Sequence, residues 1–187
     1  MRIIGGKFSG RRITAPKGLP ARPTTDRTRE SLFNILSARA DVNFEGARII
    51  DLFAGSGALG FEAMSRGGAW CLFVETDAGA RGAIRDNAEA LSLFGVTRIH
   101  RRSAVDLGIK PAGVGAPFPL AFLDPPYRKG LCAPALAALH DGGWLAPGAL
   151  AVVEQAKDEP PAIAAGFHED DRRIYGDTQI GFYQYTR

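Results

Sequence analysis

Cysteine, clustered histidine and long apolar runs are scarce in this chain of 187 residues, and each scarcity excludes a class of protein. Cys71 and Cys132 show neither C-x-x-C spacing nor a histidine cluster, so we predict two small core side chains and no metal site. No uninterrupted apolar run approaches the roughly 18 residues of a membrane helix, and the N-terminus lacks a signal-peptide core. We therefore expect a cytoplasmic protein without a membrane partner.

The composition is that of an ordinary globular protein, but its charge is unevenly distributed. Hydrophobic residues make up 45% of the chain and charged residues 23%, which is typical of one folded domain. Residues 1–30 hold eight of the 23 basic residues and only two of the 20 acidic ones. Such a segment is typical of a polyanion binder, although it is equally often only a solvated face. We predict a basic N-terminal arm with a small hairpin over residues 1–24 and a main domain over residues 25–187.

Residues 49–60 predict a buried strand, a glycine turn and the start of a helix. Gly55, Ser56 and Gly57 follow an apolar run, and together with Gly60 they fit the pattern G-x-G-x-x-G. Glycines in the turn let a nucleotide lie against backbone N–H groups, and Gly60 lets the helix pack close to the sheet. We call residues 53–57 the cofactor loop, although the pattern by itself also fits a plain turn.

Polar residues follow the first three strands of the predicted domain. A carboxylate at Asp51 would repel a pyrophosphate but suits a ligand that carries an ammonium and a sulfonium, which favours S-adenosylmethionine over NAD. The alternative is that Asp51 caps the next helix. Glu75 is predicted to accept both hydroxyls of an adenosine ribose, because its two oxygens accept in parallel. Ser103, which Ala104 follows, is predicted to meet the adenine.

The stretch from Asp124 through Pro125 and Pro126 to Tyr127 is the most specific signal in the chain. Two prolines after a buried strand donate no backbone hydrogen bond and fix φ, which makes a rigid loop with outward-turned carbonyls. Asp124 and a neighbouring carbonyl can accept both N–H bonds of an exocyclic amine, which aims its lone pair at a methyl donor. Tyr127 offers a ring on which an extruded base can stack. The alternative is a Pro-Pro turn without chemistry.

The order of apolar runs predicts an α/β fold built from βα units. A strand over residues 150–154 and a closing hairpin over residues 172–186 complete a mostly parallel, seven-stranded, Rossmann-like sheet with an antiparallel C-terminal hairpin. Ligands of open α/β sheets bind at the carboxyl ends of the strands. The polar residues after the strands are therefore expected to converge on one edge.

Two sets of motifs carry a resemblance to known enzymes. Residues 51–60 and 124–127 resemble class I S-adenosylmethionine-dependent methyltransferases that act on exocyclic amines. Residues 2–6, 22–27 and 29–36 look like the N-terminal signature of bacterial 16S rRNA guanine-N2-methyltransferases. The resemblance implies S-adenosylmethionine as cofactor and no metal. It also implies a guanine N2 of 16S rRNA as acceptor, presented in the small ribosomal subunit or an assembly intermediate.

The resemblance also implies roles for particular residues. The cofactor site would comprise Asp51, Gly55, Ser56, Gly57, Glu75, Ser103 and Ala104, and the target-base site Asp124, Pro125, Pro126 and Tyr127. The RNA contacts would be Arg2, Arg11, Arg12, Arg22, Arg27 and Arg29. Ser103 is a departure, because related enzymes commonly carry Asp or Asn at that position. Removal of residues 1–24 is expected to abolish RNA binding and to leave cofactor binding intact.

Several other functions compete with this interpretation. An adenine-N6-methyltransferase of DNA or RNA uses the same loop chemistry, and a glutamine-N5 protein methyltransferase normally carries Asn at the position of Asp124. A cytosine-C5 enzyme needs a cysteine nucleophile, whereas Cys132 lies beyond the motif in a predicted helix. An NAD-dependent oxidoreductase or a non-catalytic RNA-binding module leaves residues 124–127 unexplained.

Overall fold

A computed structural model describes residues 1–16 and 26–186 of the chain. The strands are β1 (Arg48–Leu52), β2 (Trp70–Val74), β3 (Thr97–His100), β4 (Phe118–Leu123), β5 (Leu145–Ala156), β6 (Phe167–Tyr175) and β7 (Thr178–Tyr185). The α-helices of the described part are α1 (Asp26–Ala38), α2 (Ala58–Ser65), α3 (Ala78–Ala90) and α4 (Cys132–Asp141). Short 3-10 helices cover Gly6–Phe8, Phe94–Val96 and Ala112–Val114.

All seven strands form one sheet in the order β3-β2-β1-β4-β5-β7-β6. The first five strands pair in parallel, and β7 runs antiparallel to both β5 and β6. The predicted seven-stranded sheet with its closing hairpin is therefore confirmed. The strand order reverses between β1 and β4, and the carboxyl edge beside such a switch point is where open sheets bind ligands.

Helices cover both faces of the sheet, as a mostly parallel sheet requires. One core cluster joins α1, α2 and α3 to the sheet, and the Phe33 ring of α1 lies 5.6 Å from the Phe122 ring of β4. A second cluster on the opposite face contains Leu136 of α4 and the fully buried Trp144. Because both faces are covered, β1, β2 and β4 read as almost continuous apolar runs in the sequence.

The first 16 residues pack into the core instead of extending from it. A single antiparallel bridge joins Arg2 and Arg12, and Ile3 and Ile13 are buried in the same cluster as α1 to α3. The predicted small hairpin is thus present in reduced form. The expectation that residues 1–24 can be removed without affecting cofactor binding is at odds with this packing, because the removal would open the core.

Polar anchors on α2 also hold this N-terminal segment, residues 1–16. The carboxylate of the fully buried Glu62 accepts hydrogen bonds from the backbone N–H groups of Ile4 and Gly5, each at 2.8 Å. The Ser65 hydroxyl accepts from the N–H of Phe8 at 2.8 Å and donates to the carbonyl of Gly5 at 2.6 Å. Since α2 begins directly after the cofactor loop, the segment and the loop are attached to the same helix.

Candidate active site at the carboxyl edge of the sheet

The cofactor loop leaves β1 through an unusual backbone conformation. Phe53 has φ 58°, a value that bulky residues rarely adopt, and Gly55 and Gly57 have φ 55° and 80°. Such strain persists only where the surroundings enforce it, and it concentrates at ligand sites. The outlier at Phe53 therefore supports a functional role for this turn.

The three glycines of the motif have different structural roles. A Cβ atom at Gly55 would meet only the carbonyl oxygen of Phe53, at 4.0 Å, so this position is open enough for a ligand to approach. A Cβ atom at Gly57 would lie 2.6 Å from the Phe61 ring, and one at Gly60 would collide with Phe73 of β2. The predicted close packing at Gly60 is present in the structure, whereas Gly57 is required by packing and by its positive φ.

Asp51 is buried at the end of β1, and its carboxylate accepts a hydrogen bond from the N–H of Gly60 at 2.9 Å. This contact is in the first turn of α2, so the capping alternative describes what the structure shows. Burial, together with the charge of Glu75, raises the pKa of Asp51 to about 8. Asp51 can therefore favour S-adenosylmethionine over NAD by its charge only if the ammonium group of the ligand draws the proton from its carboxyl group. The contact of Asp51 with the cofactor stays a prediction.

Asp51→Asn is expected to stabilise the protein more at pH 8 than at pH 5. The folded-state pKa of about 8 exceeds the ordinary value of about 4, so the folded state holds an extra proton between these pH values. Asp51 therefore lowers the free energy of unfolding as pH rises, by up to about 1.4 kcal/mol per pH unit, and asparagine removes this slope. Thermal unfolding of both proteins across pH 5 to 8 measures it. A constant difference in Tm would show that Asp51 stays ionised.

Glu75 lies directly after β2 and is fixed by backbone groups on both sides. One carboxylate oxygen accepts from the N–H of Gly55 and the other from the N–H of Asp77, each at 2.8 Å. Each oxygen keeps a second lone pair, so the carboxylate can still accept the two hydroxyls of a ribose. The structure thus joins the acid after β2 to the cofactor loop after β1, as the convergence at the carboxyl edge predicts.

The residues after β3 contribute less than expected. Ser103 is exposed, and its hydroxyl accepts from the N–H of Val105 at 3.4 Å. The methyl group of Ala104 is buried in the second core cluster, so it packs the protein interior. Adenine contacts by either residue stay predictions.

Residues 124–127 lie beside the cofactor loop, because β4 pairs with β1. The backbone N–H of Asp124 donates to the carbonyl of Leu52 at 3.4 Å, so the two motifs meet where the two strands end. Pro125 is buried and Pro126 is exposed, and Arg128 directly after the motif has φ 56°. The chain therefore leaves the loop through a left-handed backbone conformation, and the rigidity expected from the two prolines stays a prediction.

The hydroxyl of Tyr127 has partners that the sequence does not reveal. It lies 3.0 Å from a carboxylate oxygen of Glu154, which is 4% exposed at the end of β5, and 2.5 Å from the Thr178 hydroxyl of β7. In the sequence, Glu154 stands out as an acid at the end of an apolar strand. No local pattern connects it to Tyr127, so this contact could not be predicted from the sequence. These contacts fix the orientation of the Tyr127 ring beside Asp124.

Cys132 does not offer a nucleophile next to this loop. Burial, together with the charges of Glu159 and Asp124, raises the pKa of its thiol to about 12. A thiol at neutral pH is protonated under these conditions and reacts slowly. The structure thus strengthens the argument against a cytosine-C5 mechanism.

The predicted RNA contacts divide into accessible and inaccessible arginines. Arg2, Arg12 and Arg27 are exposed, and Arg11 is exposed while donating to the carbonyl of Ala90 at the end of α3. Arg29 is 1% exposed and is enclosed by Asp26 at 2.9 Å and Glu62 at 4.0 Å, so its prediction as an RNA contact is wrong. Arg22 lies outside the described residues.

The described residues are also informative about membranes and metals. Across residues 1–16 and 26–186, no helix is long and apolar enough to cross a bilayer. The same ranges contain no group of three or more His, Cys, Asp or Glu side chains that could hold a metal ion.

A parallel sheet with a glycine turn after β1, a fixed acid after β2 and an Asp-Pro-Pro-Tyr loop after β4 defines a class I methyltransferase. A family model described as conserved hypothetical protein 95 matches residues 1–184. The chain is 37% identical over 185 residues to ribosomal RNA small subunit methyltransferase D of Escherichia coli, covering 98% of this chain and 89% of that protein. The chain belongs to the family of ribosomal RNA small subunit methyltransferase D.

Further relatives agree with this assignment. The Haemophilus influenzae ribosomal RNA small subunit methyltransferase D is 35% identical over 161 residues, which cover 86% of this chain and 81% of that protein. A solved Escherichia coli structure described as the methyltransferase YhhF superposes with a TM-score of 0.82 at 36% identity, covering 100% of this chain and 98% of the other.

The methyl donor of this class of enzyme is S-adenosylmethionine, whose sulfonium supplies an electrophilic methyl group. The residues present fit this cofactor in two respects. Space is open at Gly55, and Glu75 is held next to it with lone pairs to spare. Gly55 and Glu75 are therefore the residues best placed to hold it.

Proposed function

We propose that this enzyme transfers the methyl group to the exocyclic N2 of guanine 966 in 16S rRNA. The observation that carries the proposal is the loop from Asp124 to Tyr127, held against the end of β1 beside the cofactor loop. The relatives named as small subunit rRNA methyltransferases and the N-terminal signature support the choice of RNA and base.

Asp124 supplies the acceptor that this chemistry needs. The lone pair of a guanine N2 is delocalised into the ring, so the amine is a weak nucleophile. An ionised Asp124 accepts one N–H bond and a carbonyl of the rigid loop accepts the other, which turns the lone pair out of conjugation and toward the methyl donor. The same charge stabilises the positive charge that develops on nitrogen during transfer.

Tyr127 supplies a surface for a base that has left its stack. Stacking of a nucleobase on an aromatic ring contributes about 1 to 3 kcal/mol, which offsets part of the cost of extruding the base. The hydroxyl contacts with Glu154 and Thr178 hold the ring in one orientation before the base arrives. A substrate in an assembled ribosomal particle fits this need, because a base already unpaired is cheap to extrude.

Nucleoside analysis tests the choice of base. The purified enzyme is incubated with small ribosomal subunits from a strain that lacks this methylation, and the rRNA is digested to nucleosides. We expect a gain of one N2-methylguanosine per small subunit over the untreated particles. N6-methyladenosine in its place would establish the adenine rival, because an ionised Asp124 accepts an N–H from either base.

Replacing Arg2, Arg12 and Arg27 by glutamine is expected to weaken RNA binding and to flatten its dependence on salt. These arginines are exposed, and Met1 beside Arg2 lies 3.8 Å from the Ser56 hydroxyl, which places the N-terminal segment next to the cofactor loop. Each lost phosphate contact reduces the slope of log affinity against log salt by roughly one. Filter binding between 50 and about 200 mM salt measures the slope.

A matched control for these variants is Arg173→Gln. Arg173 is exposed on β6, at the edge of the sheet farthest from β3, and pairs with Asp171 at 2.8 Å. This change should leave the salt slope at its parent value. An unchanged slope in the triple variant would exclude phosphate contacts by these N-terminal arginines.

A further inference from the structure

The amide side chain of Asn87 on α3 is buried between two parts of the molecule that the sequence treats separately. It is 2% exposed, and both of its polar atoms are used. Its oxygen accepts from the N–H of Thr14 at 2.8 Å, and its nitrogen donates to the carbonyls of Thr14 and Ser56, each at 3.0 Å. Thr14 belongs to the N-terminal segment, and Ser56 lies between the two glycines of the cofactor loop.

Ser56 makes a second contact with the N-terminal segment. Its hydroxyl lies 3.8 Å from the sulfur of Met1, which belongs to that segment. Its backbone carbonyl accepts from Asn87, which holds Thr14 of the same segment. The carbonyl of Ser56 belongs to the same peptide as the N–H of Gly57, which donates to Ala54 at 2.7 Å. This peptide plane is thus held from within the loop by Ala54 and from outside the loop by Asn87.

Only an asparagine meets the requirements of this position. The three hydrogen bonds need one acceptor and two donors on a short side chain, which an aspartate lacks and which a glutamine would present one methylene farther from the helix. A buried amide left without its partners is destabilising, so the arrangement is maintained as a unit. Disorder on either side of Asn87 therefore weakens its hold on the other side.

We propose that Asn87 is a positioning residue that couples the N-terminal segment to the cofactor loop, so that cofactor and RNA bind with positive cooperativity. The proposal rests on the proposed function, because it takes the exposed arginines of that segment as RNA contacts. Cofactor binding fixes the Ser56 peptide, which fixes Asn87 and through it Thr14. RNA then binds a segment that is already ordered, so its binding costs less of the conformational entropy of that segment.

The cooperativity is measured as a ratio of dissociation constants. Binding of unmethylated small ribosomal subunits is measured with and without saturating S-adenosylhomocysteine, which occupies the cofactor site without reacting. We expect the ligand to tighten binding at least about 5-fold, and the particles to tighten binding of the ligand by the same factor. Asn87→Ala and Asn87→Asp should bring the ratio close to one. Asn87→Asp keeps the acceptor for Thr14 but sets a buried carboxylate oxygen against the carbonyls of Thr14 and Ser56, so Asn87→Ala, which adds no charge, is the milder variant.

Ser65→Ala is the matched control. It removes the hydroxyl that bonds Phe8 and Gly5, which are in the same N-terminal segment but do not contact Ser56. Ser65→Ala should lower Tm and keep the parent ratio. Asn87→Ala should also lower Tm, but it would keep the parent ratio only if the role of Asn87 were purely structural. The ratio therefore separates positioning from stability.

Hydrogen exchange of the parent protein tests the coupling without any substitution. The N–H of Thr14 is bonded to Asn87, so S-adenosylhomocysteine should slow its exchange, whereas the N–H of Phe8, bonded to Ser65, should change less. A ratio of one in the parent, with methylation intact, would overturn the coupling and spare the proposed function. Asn87 variants that keep the parent ratio would overturn it equally, and absence of rRNA methylation by the parent would overturn the proposed function itself.

Discussion

Asp124→Ala is expected to lower turnover by a factor on the order of 100 or more while leaving the affinity for S-adenosylhomocysteine unchanged. The carboxylate is the acceptor that turns the amine lone pair toward the methyl donor, and alanine supplies no replacement. The backbone N–H that anchors residue 124 to Leu52 remains, so the loop keeps its place at the end of β1. Single-turnover methylation of small ribosomal subunits measures the chemical step separately from product release.

Two further variants make this result specific. Asp124→Asn should be milder, because its amide oxygen still accepts a hydrogen bond although the charge is lost. Asp86→Ala removes an acid from the exposed side of α3 and should leave turnover at the parent value. Turnover of Asp124→Ala within a few-fold of the parent would rule out Asp124 as the residue that orients the amine.

Deletion of residues 1–16 is expected to abolish the cooperative folding of the chain. Ile3 and Ile13 are core side chains, and each large apolar side chain removed from a core costs about 2 to 5 kcal/mol. The deletion also strips the buried Glu62 of two N–H donors while Arg66 still pairs with it at 3.0 Å, and each lost hydrogen bond to a charged group costs about 1.5 to 3 kcal/mol. The sum rivals the 5 to roughly 15 kcal/mol that stabilises a typical domain.

Thermal unfolding and calorimetric binding of S-adenosylhomocysteine test this expectation. The truncated chain should show no cooperative transition and no binding, whereas glutamine at Arg2, Arg12 and Arg27 should change Tm only slightly because those side chains are exposed. A truncated chain that binds S-adenosylhomocysteine with parent affinity would restore the view of a detachable arm.

The fold and the meeting of the two motifs were accessible from the sequence because they depend on local patterns. Continuous apolar runs bounded by glycines predict buried parallel strands, and each run is followed by a polar residue at the carboxyl edge. The Gly55-Ser56-Gly57 turn and the loop from Asp124 to Tyr127 are short and rigid, so spacing alone identifies them. Their meeting at the ends of β1 and β4 follows from the order of βα units.

The roles of individual charged residues were not accessible in the same way. Arg29 is four positions before the buried Phe33 of α1, so helical periodicity places it on the buried face, whereas its charge predicts an exposed RNA contact. It is buried because Glu62 and Asp26 enclose its charge, and Glu62 comes from a helix that lies more than 30 residues later in the sequence. Asp51 is likewise a charged residue whose surroundings the sequence does not show. Burial raises its pKa above that of a surface carboxylate, although the N–H of Gly60 donates a hydrogen bond to it.

The sequence by itself determined the class of sheet, the glycine turn after β1 and the Asp-Pro-Pro-Tyr loop after β4, because these depend on short-range spacing and backbone chemistry. Tertiary structure alone decided which arginines can reach RNA, which groups hold Tyr127, and that Asn87 joins the N-terminal segment to the cofactor loop. Thr14, Ser56 and Asn87 are far apart in the chain, and each is an ordinary polar residue in its own local context. Their hydrogen bonds exist only because packing of the N-terminal segment against α2 and α3 brings the three residues together around the buried Asn87 side chain.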